Sequence, residues 1–210
     1  MQTTKELPTL QKNEKSSSFS AMLSRMKYIP RWSLMRCART ENLAEHTAET
    51  AQLAHLLCCV SNALFGGDAR ADKVAAAALY HDAPEIITGD LPTPVKYRSA
   101  EMKNAYKKIE QEAQSELLAM LPEELRGALT PALYASELTA YEKKLLKAAD
   151  RLSAVIKCVI EAGSGNSEFS SAYAQQMEAL RAMECPEADW FIETMLPAYT
   201  RTLDELTRAE

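Results

Sequence analysis

The stretch "AAAALYHDAPE", residues 75 to 85, ends an alanine-rich apolar run with His81, Asp82 and, after a proline, Glu85. Pro84 has no N–H group to donate, and its ring disfavours helical angles in the residue before it, so the helix should end or bend at the His-Asp pair. Adjacent helical positions diverge by roughly 100°, and an irregular backbone would let both side chains reach one ion. The stretch therefore predicts a rigid helix that delivers potential metal ligands at its broken end.

The same pair has ordinary interpretations, which the stretch alone leaves open. Asp82 is also typical of a solvent-facing residue at a helix terminus. His81 would be favoured near the negative end of a helix dipole without binding anything.

The composition predicts one sizeable hydrophobic core, since 47% of the 210 residues are hydrophobic. Residues 1–18 are polar and without periodicity, which predicts a flexible tail before a single domain at 19–210. The net charge of −5 comes from charges of both signs along the chain, so there is no basic footprint for a nucleic acid polymer or an anionic membrane. No apolar run reaches membrane-spanning length. A small molecule or another protein is the expected partner.

The cysteines favour a reducing compartment. There are five, an odd number without a C-x-x-C pair, and the chain shows no charged-then-apolar leader. We expect reduced, mostly buried thiols in a cytoplasmic protein.

Apolar residues recur at spacings of three and four, with only six glycines, which predicts an all-α protein. Asn42, followed by Glu45 three residues later, forms a capping-box pattern that begins a helix extending to about Leu64 and places His46 in its first turn. The other helices are predicted at about 19–26, 72–83, 99–120, 122–129, 139–162, 168–183 and 187–208, the last kinked at Pro197.

His46 and His55 share the helix that begins at Asn42 but lie nine positions apart, on opposite faces, so they cannot bind one ion together. His55, in "AQLAHLLCCV", is most simply a core or interface histidine satisfied by a hydrogen bond. Asp150 lies in "KKLLKAADRLSAVIK" among apolar positions, and such an aspartate needs a partner. A metal ion is one candidate, and a salt bridge to Lys147 or Arg151 is the other.

In this order His46, His81 with Asp82, and Asp150 resemble the H…HD…D ligand set of the HD-domain phosphohydrolases, a helical superfamily. The chain also resembles, over almost everything after the tail, the bacterial 5′-deoxynucleotidases of the YfbR type. The motifs that carry this second resemblance are "RW" at 31–32, "RTENLAEH" at 39–46, "YHDAPE" at 80–85, "TGDLPTPVKY" at 88–97, "PEELR" at 122–126 and "KAAD" at 147–150. The long polar N-terminus and Pro84 depart from the expected pattern.

The resemblance implies an HD-domain bundle of stacked helices, a homodimer, and metal-dependent hydrolysis of deoxyribonucleoside 5′-monophosphates to deoxynucleoside and phosphate. It also implies a role for each matching residue. The metal ligands would be His46, His81, Asp82 and Asp150, of which Asp82 and Asp150 would also contact the substrate. Glu85 would be the catalytic acidic residue, Arg31 the catalytic arginine that orients the phosphate, and Trp32 its neighbour on the sugar side. The substrate loop would consist of Asp90, Leu91, Pro92 and Thr93.

The residue types agree with that chemistry. Two imidazoles and two carboxylates suit Co²⁺, Mn²⁺, Zn²⁺ or Fe²⁺ better than Ca²⁺ or Mg²⁺. Arg31 offers a forked donor to phosphate oxygens, Asp90 could accept from the sugar 3′-hydroxyl, and Trp32 could crowd the 2′ position. By themselves, however, Arg31 and Trp32 could simply pin the N-terminal segment, and Asp90 could cap a turn.

Two alternative functions remain open at this point. One is an HD phosphohydrolase acting on another nucleotide, such as a triphosphate or a cyclic nucleotide. The other is a non-catalytic helical interaction protein that keeps a metal for stability, which the presence of Glu85 and Arg31 argues against.

Overall fold

The computed structural model of the protein describes residues 16–96 and 98–208. Within these ranges the chain forms eleven α-helices and no β-strand, only an isolated bridge between Pro30 and Asn42. This confirms the predicted all-α class. In chain order the helices are α1 (Phe19–Leu23), α2 (Leu43–Leu64), α3 (Ala71–Ala78), α4 (Glu85–Thr88), α5 (Thr93–Lys96), α6 (Ala100–Ala119), α7 (Glu123–Leu133), α8 (Ala140–Gly163), α9 (Ser170–Arg181), α10 (Pro186–Thr194) and α11 (Leu203–Thr207), with 3₁₀ helices at Ser24–Tyr28, Ser167–Phe169 and Leu196–Thr200. No helix in the described ranges is long and apolar enough to cross a membrane.

The predicted tail, residues 1–18, falls mainly on residues 1–15, which lie outside the described residues. Ser17 donates a hydrogen bond to the carbonyl of Met120 at 2.6 Å and accepts one from the N–H of Phe19 at 3.3 Å. These two bonds tie the start of α1 to the end of α6. The division into a tail and one domain at 19–210 stays a prediction.

Helices with strong local caps begin where the sequence predicts. The Asn42 side chain accepts from the Glu45 N–H at 3.0 Å, and the Glu45 carboxylate accepts from the Asn42 N–H at 3.2 Å, which confirms the capping box of α2. Thr139 and Glu142 form the same reciprocal pair at α8. Each box satisfies N–H groups that a helix start leaves without intrahelical partners, so the boundary is encoded within four residues.

The helix that carries the His-Asp pair ends earlier than predicted, at Ala78 instead of residue 83. An α-helical Tyr80 carbonyl would need a donor at position 84, and Pro84 has none. The Tyr80 carbonyl instead accepts from the Ala83 N–H at 3.0 Å, and the chain continues in tight three-residue turns before α4. His81 and Asp82 therefore lie wholly within irregular backbone.

The prediction of one kinked helix at 187–208 is wrong. α10 ends at Thr194, and Pro197 lies in the 3₁₀ helix that follows. α11 then begins with its own capping box, formed by Thr202 and Glu205. Proline separates helices here because the next residues satisfy their backbone groups in 3₁₀ turns and a new cap.

The larger core forms where α2 packs between α3 and α8, with α10 across one end. Its centre includes Leu57 of α2, Val74 of α3, Leu152 of α8 and Phe191 of α10, all buried. Burying one such side chain stabilises the fold by about 1.5 to 3 kcal/mol. The predicted apolar helices are thus stacked around α2, and His46 lies in the first turn of this helix.

A smaller core joins the N-terminal helix to α6 and α7, and includes Phe19, Leu43, Leu117 and Leu133. Leu43 is the first residue of α2, so this helix contributes to both cores. His46 lies one turn further along and is itself buried. Its position is therefore set by packing on both sides.

The segment between Tyr28 and α2 is fastened to the far end of α8 by Glu161. This carboxylate is fully buried and accepts from the Ala38 N–H at 2.7 Å, the Arg39 N–H at 3.3 Å, Lys157 Nζ at 2.6 Å and Asn166 Nδ2 at 2.7 Å. Burial by itself raises the pKa of Glu161, but the donated hydrogen bonds outweigh it and lower the pKa to about 2. A charged clamp thus holds the segment against the bundle.

Candidate active site

Three elements bring four ligand-type side chains to one point: α2 contributes His46, the turn after α3 contributes His81 and Asp82, and α8 contributes Asp150. His46 Nε2 lies 3.3 Å from Asp82 Oδ2 and 3.3 Å from Asp150 Oδ1. His81 Nε2 lies 3.1 Å from Asp82 Oδ2 and 3.9 Å from Asp150 Oδ1. The structure therefore brings together all four residues that the sequence predicts as metal ligands.

The His81 ring is oriented by the turn that it belongs to. Its Nδ1 lies 2.7 Å from the Ala78 carbonyl, which can only accept, so Nδ1 carries the proton. Its Nε2 is buried with no hydrogen-bond partner in the described part of the chain, although Asp82 is close. A nitrogen lone pair beside a carboxylate oxygen is repulsive unless a cation lies between them.

The electrostatics of this point favour positive charge. Burial alone would lower the pKa of His81, but the carboxylates of Asp82 and Asp150 raise it to about 9. A proton is one way to supply that charge, and a metal ion is another.

The cluster has the dimensions of a metal site. Among the described residues, ligand atoms of His46, His81 and Asp150 all lie within 4.8 Å of one another. Bonds of about 2.0 to 2.2 Å to a zinc-like ion place two ligand atoms at most about 4.4 Å apart. The four distances between imidazole and carboxylate atoms fall inside this limit, and the buried His81 Nε2 has no hydrogen-bond partner among the described residues. The residues therefore fit a divalent transition ion.

Of the two predicted interpretations of Asp150, the salt bridge to Lys147 is confirmed, and the metal ligand stays a prediction. Its Oδ1 faces the imidazoles, while its Oδ2 accepts from Lys147 Nζ at 2.6 Å. Arg151, the other predicted salt-bridge partner, donates to Gln176 Oε1 of α9 at 2.9 Å. One oxygen of Asp150 thus remains for an ion while the other is held by a cation of the protein.

Arg31 is held beside the cluster by an acidic residue that the sequence reasoning missed. Its Nε donates to Glu41 Oε1 at 2.9 Å, and its backbone N–H donates to the Glu41 carbonyl at 3.0 Å. Its terminal nitrogen Nη1 lies 3.6 Å from Asp82 Oδ2. In the sequence Glu41 is marked only by its position just before the N-cap of α2. A carboxylate at that position is also common simply because it interacts favourably with the helix dipole. Nε is thereby occupied, and the outer edge of the guanidinium faces the cavity.

Trp32 adopts an uncommon backbone conformation, with φ of +59°. A bulky residue in this region costs on the order of 1 to 3 kcal/mol, and such outliers concentrate at functional sites. Its ring packs on Phe169 at a centroid distance of 5.2 Å, and its buried Nε1 has no hydrogen-bond partner within residues 16–96 and 98–208. The strained segment thus holds an indole edge on the wall of the cavity.

Glu85 is the first residue of α4 and only 7% exposed. Its Oε2 is buried and makes no hydrogen bond to any described residue. Burial, and then the negative charges of Asp82 and Asp90, raise its pKa to about 9. The side chain is therefore placed to hold a proton at neutral pH.

A cavity of about 710 Å³ opens above the four-residue cluster. Its walls include the two aspartates of that cluster, Asp82 and Asp150. They also include the remaining residues predicted for the site: Arg31, Trp32, Glu85, Asp90, Leu91, Pro92 and Thr93. This volume lies within the range of small-molecule sites and is large enough for a nucleotide.

The wall at residues 90–93 is anchored to α6. Gly89, with φ of +74°, makes the turn into this wall, and its carbonyl accepts from Tyr106 Oη at 3.1 Å. Lys96, at the other end, donates to Glu110 Oε1 at 2.8 Å. The sequence analysis predicts no helix between residues 83 and 99, whereas residues 93 to 96 form the short helix α5.

The sequence reasoning missed a second group of cavity residues, on α5, α8 and α9. They include Lys96, Arg151, Ser171, Gln175 and Gln176, besides Lys147. The signal for Lys147 and Arg151 was their position three residues before and one after Asp150. Nothing local marks α9 as part of the site, because its polar face has the ordinary amphipathic pattern.

His55 corrects one expectation and confirms another. It is exposed on α2 while His46 is buried, which confirms that the two rings lie on opposite faces. A core role for His55 is therefore wrong, and its Nδ1 lies 3.7 Å from the exposed Cys59 Sγ. An interface role stays a prediction.

The cysteines are all free, and Cys58, Cys158 and Cys185 are buried.

The helical fold defines the class of protein. A solved HD-domain phosphohydrolase of Listeria innocua matches with a TM-score of 0.76 and 21% identity, over 87% of this chain and 88% of that one. A solved HD phosphohydrolase of cyanophage S-2L, described as bound to dA and one catalytic Zn²⁺ ion, matches with a TM-score of 0.62 and 22% identity, over 90% of this chain and 99% of that one. The protein has the HD-domain fold.

Sequence similarity then gives the family. Residues 18–199 match the model of the YfbR-like 5′-deoxynucleotidases. A 5′-deoxynucleotidase of Erwinia tasmaniensis is 45% identical over 192 residues, which cover 91% of this chain and 97% of that protein. The chain belongs to the YfbR-like 5′-deoxynucleotidase family, as its sequence motifs predict.

Proposed function

We propose that this protein is a metal-dependent 5′-deoxynucleotidase that hydrolyses deoxyribonucleoside 5′-monophosphates to deoxynucleoside and phosphate. The observation that carries the proposal is the convergence of His46, His81, Asp82 and Asp150 beside a cavity whose lining includes the two aspartates, Arg31 and Glu85. Family membership supports the reaction class. The dA and zinc described for the cyanophage protein support a deoxynucleoside and a divalent ion as ligands.

The four clustered side chains would hold the ion. Their mixed nitrogen and oxygen donors favour Co²⁺, Mn²⁺, Zn²⁺ or Fe²⁺. When bound, such an ion supplies a Lewis acid for the phosphate and makes a nearby water more acidic.

Arg31 would orient the phosphate. Because Glu41 occupies Nε and fixes the plane of the guanidinium, its outer nitrogens can donate as a fork to two phosphate oxygens. Asp82, 3.6 Å from one of these nitrogens, would link the arginine to the residues that would hold the ion.

Glu85 would manage the proton that hydrolysis requires. The bond between phosphorus and the 5′ oxygen breaks, and the departing oxygen needs a proton to leave as a neutral hydroxyl. The buried, unpartnered Oε2 of Glu85 supports its role as the donor.

Trp32 and the substrate loop, residues 90 to 93, would recognise the sugar. With the phosphate held between the ion and Arg31, the sugar falls near the indole and the carboxylate of Asp90, which can accept from a 3′-hydroxyl. A 2′-hydroxyl would meet the fixed ring or lose its water without a new partner.

A phosphate-release assay over a nucleotide panel tests this function, with each divalent ion added to metal-free protein. We expect dAMP and dTMP to be hydrolysed well, AMP and UMP poorly, and 3′-monophosphates not at all. Equal rates for dAMP and AMP would reject the deoxynucleotidase specificity. Exclusive hydrolysis of triphosphates or cyclic nucleotides would assign a different HD phosphohydrolase activity.

We also propose that the protein acts as a homodimer in the cytoplasm, as the family resemblance implies. The free cysteines agree with a reducing compartment. Light scattering coupled to size-exclusion chromatography tests the dimer: a mass near twice 23.3 kDa supports it, and a mass near 23.3 kDa contradicts it.

A further inference from the structure

The far side of the His46 ring contacts a hydroxyl, which in turn contacts a carboxylate, and neither group has a place in the proposed reaction. His46 Nδ1 lies 3.0 Å from Ser153 Oγ, and Ser153 Oγ donates to Glu49 Oε2 at 2.6 Å. His46 and Ser153 are each 1% exposed. The three side chains therefore form a short hydrogen-bonded chain that begins at the four-residue cluster, passes through the buried Ser153 and ends at the partly buried Glu49.

The direction of these bonds follows from the number of protons available. Ser153 has one hydroxyl proton, and an ionised Glu49 carboxylate can only accept it. Ser153 Oγ must then accept from His46, which places the ring proton on Nδ1. The Nε2 lone pair of His46 is left facing Asp82 and Asp150, as a metal ligand requires.

Two other polar groups near the ring are less suited to this task. Thr50 Oγ1 is 3.5 Å from both ring nitrogens, a distance and position that favour neither. Glu41 Oε1 is 4.0 Å from Nδ1 and is already engaged by Arg31. Ser153 is the well-placed partner of Nδ1.

We propose that Ser153 and Glu49 are positioning residues that lock His46 in the tautomer and orientation needed to bind the metal ion. The inference rests on the proposed metal centre, and it assigns these two residues a role that neither motif nor cavity lining indicates.

The arrangement follows from helix geometry. Glu49 follows His46 by three residues on α2, and Ser153 follows Asp150 by three residues on α8, so each support lies one turn beyond a ligand on the same face. The Ser153 hydroxyl, on α8, accepts from the His46 ring and donates to the Glu49 carboxylate, both on α2. We call these two hydrogen bonds the relay. The relay thus also cross-links the two helices that supply His46 and Asp150.

His81 provides an internal comparison, because its Nδ1 is held by the backbone carbonyl of Ala78. No side-chain substitution at Ser153 or Glu49 removes that bond. A loss of the relay should therefore affect the two histidine ligands differently.

Titration of the metal-free protein with Co²⁺, followed by its visible absorption, measures the effect. We expect Ser153→Ala to weaken Co²⁺ binding by about 10- to 100-fold and to change the absorption bands. Glu49→Leu should weaken binding by about tenfold, at the lower end of that range. Glu49→Gln keeps a carbonyl that can accept from Ser153, so its affinity should stay close to that of the wild type. Ser61→Ala is the matched control, because it removes an equally buried hydroxyl of α2 that bonds to Tyr141 instead.

Nitrogen-15 NMR of the Zn²⁺-loaded protein gives a second readout, since the chain has only three histidines. We expect Ser153→Ala to shift the Nδ1–H resonance of His46 while that of His81 stays in place.

The outcomes separate the relay from the metal centre. If the wild type binds neither Co²⁺ nor Zn²⁺, the proposed metal centre fails and the relay fails with it. If the wild type binds and a folded Ser153→Ala variant binds equally well with the same spectrum, the relay alone is overturned. If circular dichroism shows that Ser153→Ala does not fold, Glu49→Leu decides, because Glu49 is only partly buried; wild-type affinity in that variant overturns the relay.

Discussion

Two acidic side chains of helix α8, Asp150 and Glu161, have opposite environments. Glu161 is fully buried and receives donors from Ala38, Arg39, Lys157 and Asn166. Asp150 receives Lys147 on one oxygen, and its other oxygen faces imidazole nitrogens. A buried carboxylate that receives hydrogen bonds from several groups of the protein stabilises the fold. A carboxylate with one oxygen directed at imidazole nitrogens is suited to bind a cation there.

The largest expected effect comes from Asp150→Asn, which keeps the shape of the side chain and removes its charge. We expect loss of bound metal and a fall in kcat/KM of at least about 10³-fold, because the ion supplies several kcal/mol of transition-state stabilisation. Metal analysis and phosphate release measure these losses, and circular dichroism should show the helical fold retained.

His55→Ala is the matched control for metal loss, since this histidine is exposed on the opposite face of α2 from His46. It should keep stoichiometric metal. Normal metal content and turnover in folded Asp150→Asn would contradict the proposal that Asp150 binds the metal ion.

Glu161→Gln should have the reverse profile, with normal metal content per folded molecule and reduced stability. Removing the charge leaves Lys157, which is 6% exposed, without its anion. Breaking a buried pair in this way costs about 3 kcal/mol in the free energy of unfolding. Chemical denaturation measures the loss.

A pair with the same i,i+4 spacing on the surface calibrates that value. Lys108 and Glu112 on α6 are both exposed and 3.8 Å apart, so Glu112→Gln should change the unfolding free energy by less than about 0.5 kcal/mol. If Glu161→Gln and Glu112→Gln lower the free energy of unfolding equally, the buried pair of Glu161 and Lys157 stabilises the fold no more than a surface pair does.

Acid sharpens the same distinction. The folded-state pKa of Glu161 is lowered from its ordinary 4.5 to about 2, so its stabilising contribution is complete above pH 4.5 and is lost as the pH falls towards 2. The difference in unfolding free energy between wild type and Glu161→Gln should therefore shrink by up to about 1.4 kcal/mol per pH unit in that window. Denaturation curves from pH 5 to pH 3 measure it, and a constant difference would show that the charge of Glu161 is not what stabilises the fold. Arg70 likewise lowers the pKa of Glu142, so some acid sensitivity should remain in the variant.

The sequence marks Asp150 more clearly than Glu161. Asp150 belongs to an ordered set with His46, His81 and Asp82, whose residue types and family resemblance indicate a metal. Glu161 has no such marker, because its donors at positions 38 and 39 lie more than 120 residues away in the chain.

Local signals explain which helix boundaries were predictable. The capping box at Asn42 and Glu45 defines the start of α2 from residues that lie within one turn. The early end of α3, by contrast, depends on where the Tyr80 carbonyl finds a donor once Pro84 offers none. Ser153 and Glu49 were missed for another reason: in the sequence each is an ordinary polar residue, and only the packing of α8 on α2 brings them to His46.

A change in substrate selectivity, with turnover and fold retained, is expected from the segment that Glu161 clamps, which also carries Trp32. The indole is held at a strained φ of +59° against Phe169, and this rigidity is what would exclude a 2′-hydroxyl. An unpaired hydroxyl costs on the order of 1 to 3 kcal/mol, so the wild type should prefer dAMP over AMP by roughly 10- to 100-fold in kcat/KM. Trp32→Ala should narrow this ratio, chiefly by raising the rate with AMP, whereas Glu85→Gln should lower both rates alike and keep the metal. If Trp32→Ala leaves the ratio unchanged, sugar selection lies elsewhere in the cavity, and the clamp on this segment serves the fold alone.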